Sequence, residues 1–219
     1  MSDTTLNATA DESTVVLGIE TSCDETAVSV VMGGGDVLSS VVSSQLDEHA
    51  RFGGVVPEIA SRAHLEALPN VTAAALEQAG IDFRRVDAVA ATVGPGLVGA
   101  LLVRVSAAKA TALALDVPFV GVNHLEAHLY AALLDDPNVE FPMLFVLVSG
   151  GHTMFVAMND PHDYRVVGQT IDDAAGEAFD KVARYLELGF PGGPAIDKAA
   201  TRGDDKAIDF PREIGRAHV

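Results

Sequence analysis

At 219 residues the chain can bury one large core or two small ones, and 48% apolar residues with 20 glycines suit a folded α/β protein and exclude a disordered one. A formal charge of −17, with four lysines among 14 basic residues, repels free nucleic acid. An RNA substrate would therefore need basic surface from a partner or from sequence outside this chain, and a salt-adapted source is another way to account for the charge.

Residues 1–14 are polar and acidic without an apolar run, which predicts a disordered tail and not a signal peptide. Val15–Glu20 is apolar, residues 20–25 are polar, and residues 26–32 are again apolar and β-branched: strand, turn, strand. Cys23 in that turn is the single cysteine, which excludes a disulfide framework and fits a reducing cytosol; nothing around it marks a nucleophile. The Thr, Ser and Asp of the turn could offer N–H groups and hydroxyls to an anion or a hydrated metal, or could simply close a hairpin. Gly33-Gly34-Gly35-Asp36 marks a second turn and Val37–Ser44 a third strand. Residues 45–56 read as a mobile loop carrying His49 and Arg51. Pro57 opens a helix to about Gln78, stopped by Gly80 and kinked or split at Pro69; His64 upon it reads as a helix-face residue and not a ligand.

Residues 86–92 form a strand, followed by Gly94-Pro95-Gly96 and an Ala/Leu/Val helix over 99–115. A strand, a glycine turn and a helix N-terminus can hold an anion, but Ala100, Ala107 and Ala110 equally invite close approach of another helix, and packing or partner contact is the preferred reading. Arg104 and Lys109 leave this helix too charged, and its length too short, to span a bilayer, so a cytoplasmic protein without membrane contact is expected. A short strand over 119–122 leads into a helix to about Leu134, which opens with Asn123-His124-Leu125-Glu126-Ala127-His128. Histidines four apart share one helix face, and two neutral imidazoles there can hold a divalent metal at about 2.0–2.1 Å. A pair that only packs is the plainer alternative; the neighbourhood favours the metal, because the next strand ends in Ser149-Gly150-Gly151-His152, a candidate phosphate turn.

After Asp135-Asp136-Pro137-Asn138 the pattern restarts, with strands over Met143–Val148, 153–158 and 164–170. This repeats the strand–turn–strand–turn–strand layout of residues 15–44, and two such units with converging polar turns would hold a nucleotide between two domains. Asp172 to Glu177 starts a helix with acids at its N-terminal end, and Asp180 and Lys181 follow one turn later. Pro191-Gly192-Gly193-Pro194 reads as a loop leading into a helix with Asp197, its glycines allowing backbone to lie against a sugar or base. Residues 213–219 lack any amphipathic pattern, resemble translated adapter sequence, and are set aside from the fold.

Seven runs together resemble the TsaD family, the tRNA N6-adenosine threonylcarbamoyltransferases once described as glycoproteases. They are Gly18-Ile19-Glu20-Thr21-Ser22-Cys23-Asp24-Glu25-Thr26, Gly53-Gly54-Val55-Val56-Pro57-Glu58, Gly94-Pro95-Gly96-Leu97, His124-Leu125-Glu126-Ala127-His128, Leu147-Val148-Ser149-Gly150-Gly151-His152-Thr153, the stretch from Ile171 to Lys181, and Pro191-Gly192-Gly193-Pro194. Leu147 and His152 resemble the bacterial form. The resemblance implies an α/β, actin-like ATPase (ASKHA, RNase H-like) duplicated fold with its second lobe incomplete. The tail 1–14 would precede a first lobe over 15–140 carrying the metal-binding helix, a truncated second lobe over 141–212 and a non-native end over 213–219. It further implies one Fe2+ (or zinc) ion per subunit on His124 and His128, completed by an Asp beyond this chain. Substrate contacts would fall on Leu147, Val148, Ser149, Gly150, Gly151, Asp180 and Gly193, with a further ribose contact at Asp197. The implied reaction moves the threonylcarbamoyl group from threonylcarbamoyl-AMP to N6 of the adenosine 3′ of the anticodon in tRNAs reading codons that begin with A. Its partners would be tRNA, TsaB, TsaE and TsaC, with TsaB on the helices around 58–78 and 99–115. Since the third ligand and an Asn-containing nucleotide motif would lie beyond the chain, the fragment by itself is expected to be inactive.

Three other readings compete. A zinc protease needs H-E-x-x-H, whereas Glu126 stands two residues after His124, about 200° round the helix and away from a shared metal. A non-catalytic actin-like nucleotide scaffold has no need of two metal-facing imidazoles. A sugar kinase needs a placed catalytic carboxylate, which no motif here supplies.

Overall fold

The computed structural model describes residues 11–136 and 138–210, so residues 1–10 of the expected tail and the whole of 213–219 lie outside the described residues. Alternation of two builds the first sheet: β1 (Val15–Glu20) buries Val15, Leu17 and Ile19, and β2 (Glu25–Met32) buries Val28 and Val30. With β3 (Val37–Ser44), β4 (Ala88–Gly94) and β5 (Phe119–Asn123) they form a five-stranded sheet of order β3-β2-β1-β4-β5. β1–β2–β3 is antiparallel, whereas β4 runs parallel to both β1 and β5. Each of those parallel steps is bridged by a helix, as the geometry requires.

One bridge contains α1 (Leu46–Ala50) and α2 (Pro57–Ala79), the other α3 (Val98–Leu115). Leu68, Val71, Ala75 and Leu76 of α2 and Ala108 and Ala112 of α3 close the core over Leu17, Val28, Val30 and Val89. Burial of each large aliphatic side chain stabilises this layer by about 1.5–3 kcal/mol. The two helices touch closely at Gly99, where a Cβ would collide with the Ser61 hydroxyl. Of the small residues on α3, Gly99 thus serves α2, Ala100 is buried and Ala110 is exposed.

Several expectations are corrected. Pro69 does not split its helix; α2 runs unbroken for 23 residues. Pro69 and Leu65, whose carbonyl loses its partner to the proline ring, both sit on the exposed face, where water replaces that hydrogen bond. Part of the expected loop, Leu46–Ala50, folds into α1, with His49 and Gln45 buried and hydrogen-bonded to each other, while residues 51–56 remain turn and irregular chain. α3 is 18 residues and, by length and composition alone, apolar enough to cross a membrane, so the statement that it is too short and too charged does not hold. Its Arg104 is nonetheless fully buried in an ion pair with Glu20.

α4 (His124–Asp135) follows β5 directly. Beyond it, β6 (Met143–Val148), β7 (Thr153–Asp160) and β8 (Asp163–Gln169) form a three-stranded antiparallel sheet. Leu129 and Leu125 of α4 pack on Met154, Val156, Phe145 and Leu147 of that sheet. The Tyr130 hydroxyl donates to the Pro161 carbonyl at 2.6 Å. The histidine helix is thus rooted in one sheet and packed on the other, which aims its first turn at the β6–β7 turn. α5 (Ala175–Tyr185) starts later than its acidic residues Asp172 and Asp173, and α6 (Gly192–Ala200) begins at Gly192, so both glycines lie in a first helical turn and not in a loop.

Candidate functional site

Asn123 ends β5 and caps α4, its side chain accepting from the Leu125 and Glu126 N–H groups. The cap starts the helix at His124, so His128 falls one turn on, over the same face. Their rings stand edge to face with centroids 4.6 Å apart, and the two Nε2 atoms approach to 3.2 Å. Two nitrogens so spaced match a chelated ion with bonds of about 2.0–2.1 Å and an angle of about 100° at the metal. The residues present therefore fit a shared divalent ion, and among the described residues no third His, Cys, Asp or Glu joins them within ligand reach.

The pair opens into a cleft of about 650 Å³. It is lined by Glu20, Ser22, Cys23, Asp24 and Glu25 from the end of β1 and the β1–β2 turn, by Ser149, Gly150, Gly151 and His152, and by Pro95, Gly96 and Leu97, together with Val55 and Phe190. Gly96, at φ +156°, is held against that first turn, because a Cβ there would lie 2.9 Å from the Ser22 carbonyl. Three carboxylates beside two imidazoles make the cleft attractive to a cation.

Glu20 is the best-connected group in it. Its carboxylate accepts from the Ser22 N–H, the Thr92 hydroxyl and, at 2.6 Å, Arg104 Nη1. Burial would raise its pKa, but hydrogen bonds from His124, Thr92 and Ser22 and the charge of Arg104 prevail and pull it down to about 2. Burial, then the neighbouring His124, lowers the pKa of both His128 and His152, which keeps their rings neutral and available as ligands. The Cys23 thiol is pushed up to about 12 by desolvation and by Asp24, which disfavours the thiolate although the residue is exposed.

The structure brings together His124, His128, Ser149, Gly150 and Gly151, and not the other expected site residues. Leu147 points into the core against α4, and Val148 projects from the other face of β6. Asp180 accepts from the Gly192 N–H at 2.7 Å and so caps α6; it lines a neighbouring cavity of about 260 Å³ with Gly53, Arg184 and Phe190, and Phe190 lines the histidine cleft as well. Neither Gly193 nor Asp197 lines the histidine cleft. The β6–β7 turn is also less open to an anion than its glycines suggest. Ser149 Oγ already accepts from the N–H groups of Gly151 and His152, and the Ser149 N–H donates to the His152 carbonyl at 2.7 Å. What Gly150 and Gly151 do offer is bare surface, with nothing within 4 Å of where a Cβ would stand. Gly176 is needed for that geometry: a Cβ on it would lie 2.7 Å from the Ser149 carbonyl.

Sequence reasoning missed Glu20, Thr92 and Arg104 as the cluster behind His124, and had His152 only as part of the candidate phosphate turn. One signal was readable, since a lone arginine inside an Ala/Leu/Val helix demands a buried carboxylate partner. Glu126, two residues after His124, is absent from the cleft lining and lies near Tyr164 of β8.

Comparison with solved structures places the chain among actin-like ATPase folds. It is similar to (R)-2-hydroxyglutaryl-CoA dehydratase component A of Acidaminococcus fermentans, with TM-score 0.50 and 14% identity over 88% of this chain and 71% of that one. It is likewise similar to ethanolamine utilization protein EutJ of Carboxydothermus hydrogenoformans, with TM-score 0.50 and 15% identity over 85% of this chain and 62% of that one. By sequence, residues 36–219 match the family described as TsaD, tRNA N6-adenosine threonylcarbamoyltransferase. The protein of that name from Caldicellulosiruptor saccharolyticus is 56% identical over 90% of this chain, and that from Clostridium perfringens 54% identical over 90%. The chain spans 59% and 58% of the length of these two relatives. On these matches, the chain belongs to the TsaD family of tRNA N6-adenosine threonylcarbamoyltransferases.

Proposed function

We propose that this chain carries the metal-facing and adenylate-facing half of an enzyme that transfers threonylcarbamoyl from threonylcarbamoyl-AMP to N6 of the adenosine 3′ of the anticodon in tRNAs reading codons that begin with A. The observation that carries the reading is the Nε2 pair of His124 and His128, 3.2 Å apart and opening on the same cleft as the Ser149–His152 turn. The reaction forms a bond from the adenosine N6 to the carbamoyl carbon and breaks the bond from that carbon to the phosphate oxygen, with AMP leaving and the N6 proton lost. No covalent enzyme intermediate is needed, in keeping with a thiol at Cys23.

His124 and His128 would hold one Fe2+ or Zn2+ ion. When bound, that ion supplies Lewis-acid polarisation of the carbamoyl group or an anchor for its oxygens. The open backbone of Gly150 and Gly151 lets an adenylate lie flat beside the histidines, and Ser149 keeps the turn in shape. In this reading Asp180, Gly193 and Asp197 contact substrate only if α5 and α6 close towards the cleft. TsaB is the partner proposed for α2 and α3, whose exposed Leu65, Val98, Leu102 and Leu113 suit a helical docking face. TsaE, TsaC and a cytoplasmic setting complete the proposal, and the strong negative charge assigns tRNA binding largely to basic surface outside this chain.

Metal analysis of the purified chain tests the reading. Wild type is expected to hold close to one equivalent of iron or zinc, and His128→Ala to lose most of it, since one imidazole alone cannot chelate. Equal metal in the two proteins would sink the enzyme reading and leave a nucleotide-binding scaffold.

A further inference from the structure

We propose that Glu20, clamped by buried Arg104 and by Thr92, is the positioning residue that fixes His124 in the tautomer presenting a bare Nε2 to a divalent cation. The inference rests on the metal reading above and adds to it a residue from a different strand.

His124 Nδ1 lies 3.2 Å from Ser22 Oγ and 3.4 Å from Glu20 Oε2. A serine hydroxyl can give or take a hydrogen bond, so Ser22 alone leaves the imidazole free to carry its proton on either nitrogen. A carboxylate can only accept. With Glu20 beside it, Nδ1 must be the protonated atom, donating to Glu20 Oε2 and Ser22 Oγ, and Nε2 keeps its lone pair for the cleft. Metal-bound histidines in general depend on such an acceptor behind the ring, and its removal lowers affinity about 10- to 100-fold.

The clamp explains why Glu20 can be trusted to stay there. Arg104 is fully buried and donates Nη1 to Glu20 Oε1 at 2.6 Å. Among the described residues its Nε and Nη2 have no hydrogen-bond partner at all. A guanidinium so placed has one compensating group, so Glu20 cannot swing away without stranding a buried charge. Arg104 spends Oε1, Thr92 holds Oε2, and Oε2 is left facing His124. Ser22 has a second duty in this arrangement, since its N–H also reaches the Glu20 carboxylate and holds the turn close.

Glu20→Leu alone would leave Arg104 uncompensated, and Glu20→Gln would keep an amide oxygen able to accept from Nδ1, so the informative variant is Glu20→Leu with Arg104→Met. Removing both charges keeps the volume of the buried stem and lets the chain fold. Two measurements are made on wild type and on this double variant. The first is the long-range proton–nitrogen NMR spectrum of the metal-free chain, which reads the His124 tautomer directly. The second is Zn2+ affinity by calorimetric titration, with thermal melting as the control for folding. Wild type is expected to show His124 protonated on Nδ1, and the double variant a mixture of tautomers with Zn2+ bound about 10- to 100-fold more weakly at an unchanged melting temperature. An unchanged tautomer in the double variant overturns the proposal, as does unchanged Zn2+ affinity. If wild type binds Zn2+ no better than His128→Ala, the metal reading fails by itself, and the NMR spectrum still decides whether Glu20 sets the ring.

Discussion

The units β1–β3 and β6–β8 have the same strand order and the same turn placement, yet they are buried in opposite ways. In the first, Val15, Leu17, Ile19, Val28 and Val30 are all sealed under α2 and α3. In the second, among the described residues, one face is covered by Leu125 and Leu129 of α4, while Leu144, Val146 and Val148 remain 57–59% exposed. β1 also gains a parallel neighbour in β4, whereas β6 pairs only with β7 among the described residues. Alternation along a strand decides which side chains share a face; whether that face becomes core depends on which helix the chain brings back to it. The chemistry follows the same division. The well-packed unit holds the charged cluster of Glu20 and Arg104 in place, and the sparsely packed one contributes a turn of bare glycine backbone.

The comparison breaks most sharply under truncation of its two apolar faces. Leu17→Ala, in the fully buried position, is expected to cost about 3 kcal/mol, and Leu144→Ala, exposed on β6, less than about 0.5 kcal/mol, as read from urea unfolding. Comparable losses at the two sites would mean that the second sheet is covered in solution. Next in size is a pair of glycines. Gly176→Ala would drive a methyl into the Ser149 carbonyl, with an expected cost of about 1–3 kcal/mol and a displaced cleft turn. Gly193→Ala meets open space within the first turn of α6 and should be neutral or stabilise by up to about 1 kcal/mol. A Gly193→Ala chain that folds normally yet binds AMP poorly would restore Gly193 to the substrate site.

The smallest effect is a pH dependence that His64 contributes in the first unit. His64 is buried, takes hydrogen bonds at Nδ1 from Thr26 and Gln45, and donates from Nε2 to the Cys23 carbonyl at 3.1 Å. Burial lowers its pKa below the usual 6.5, outweighing the carbonyl that raises it. A depressed histidine favours the neutral folded form, so its contribution is complete above about 6.5 and fades as pH falls through the lower folded value. Urea midpoints from about pH 8 to about pH 5 should fall more steeply for wild type than for His64→Gln. Parallel curves would show that His64 is not the group responsible.

Much of this molecule was legible in the order of its residues. The strands Val15–Glu20, Val37–Ser44 and Met143–Val148 have the bounds that alternation and turn residues predict, and the helical spacing of His124 and His128 alone places both rings on one face. These are local matters, set by the two-residue and 3.6-residue periods of the backbone. What depended on the assembled chain was every contact across many residues. Glu20 and Arg104 stand 84 positions apart and meet only because β1 lies beside β4 and α3 returns over them. Ser149 turns its hydroxyl inward on its own loop, Asp180 caps α6 instead of facing the cleft, and Pro69 is tolerated within an unbroken helix. Each of these rests on burial and on which polar group lies within about 3 Å, and a sequence states neither until the sheet has been built.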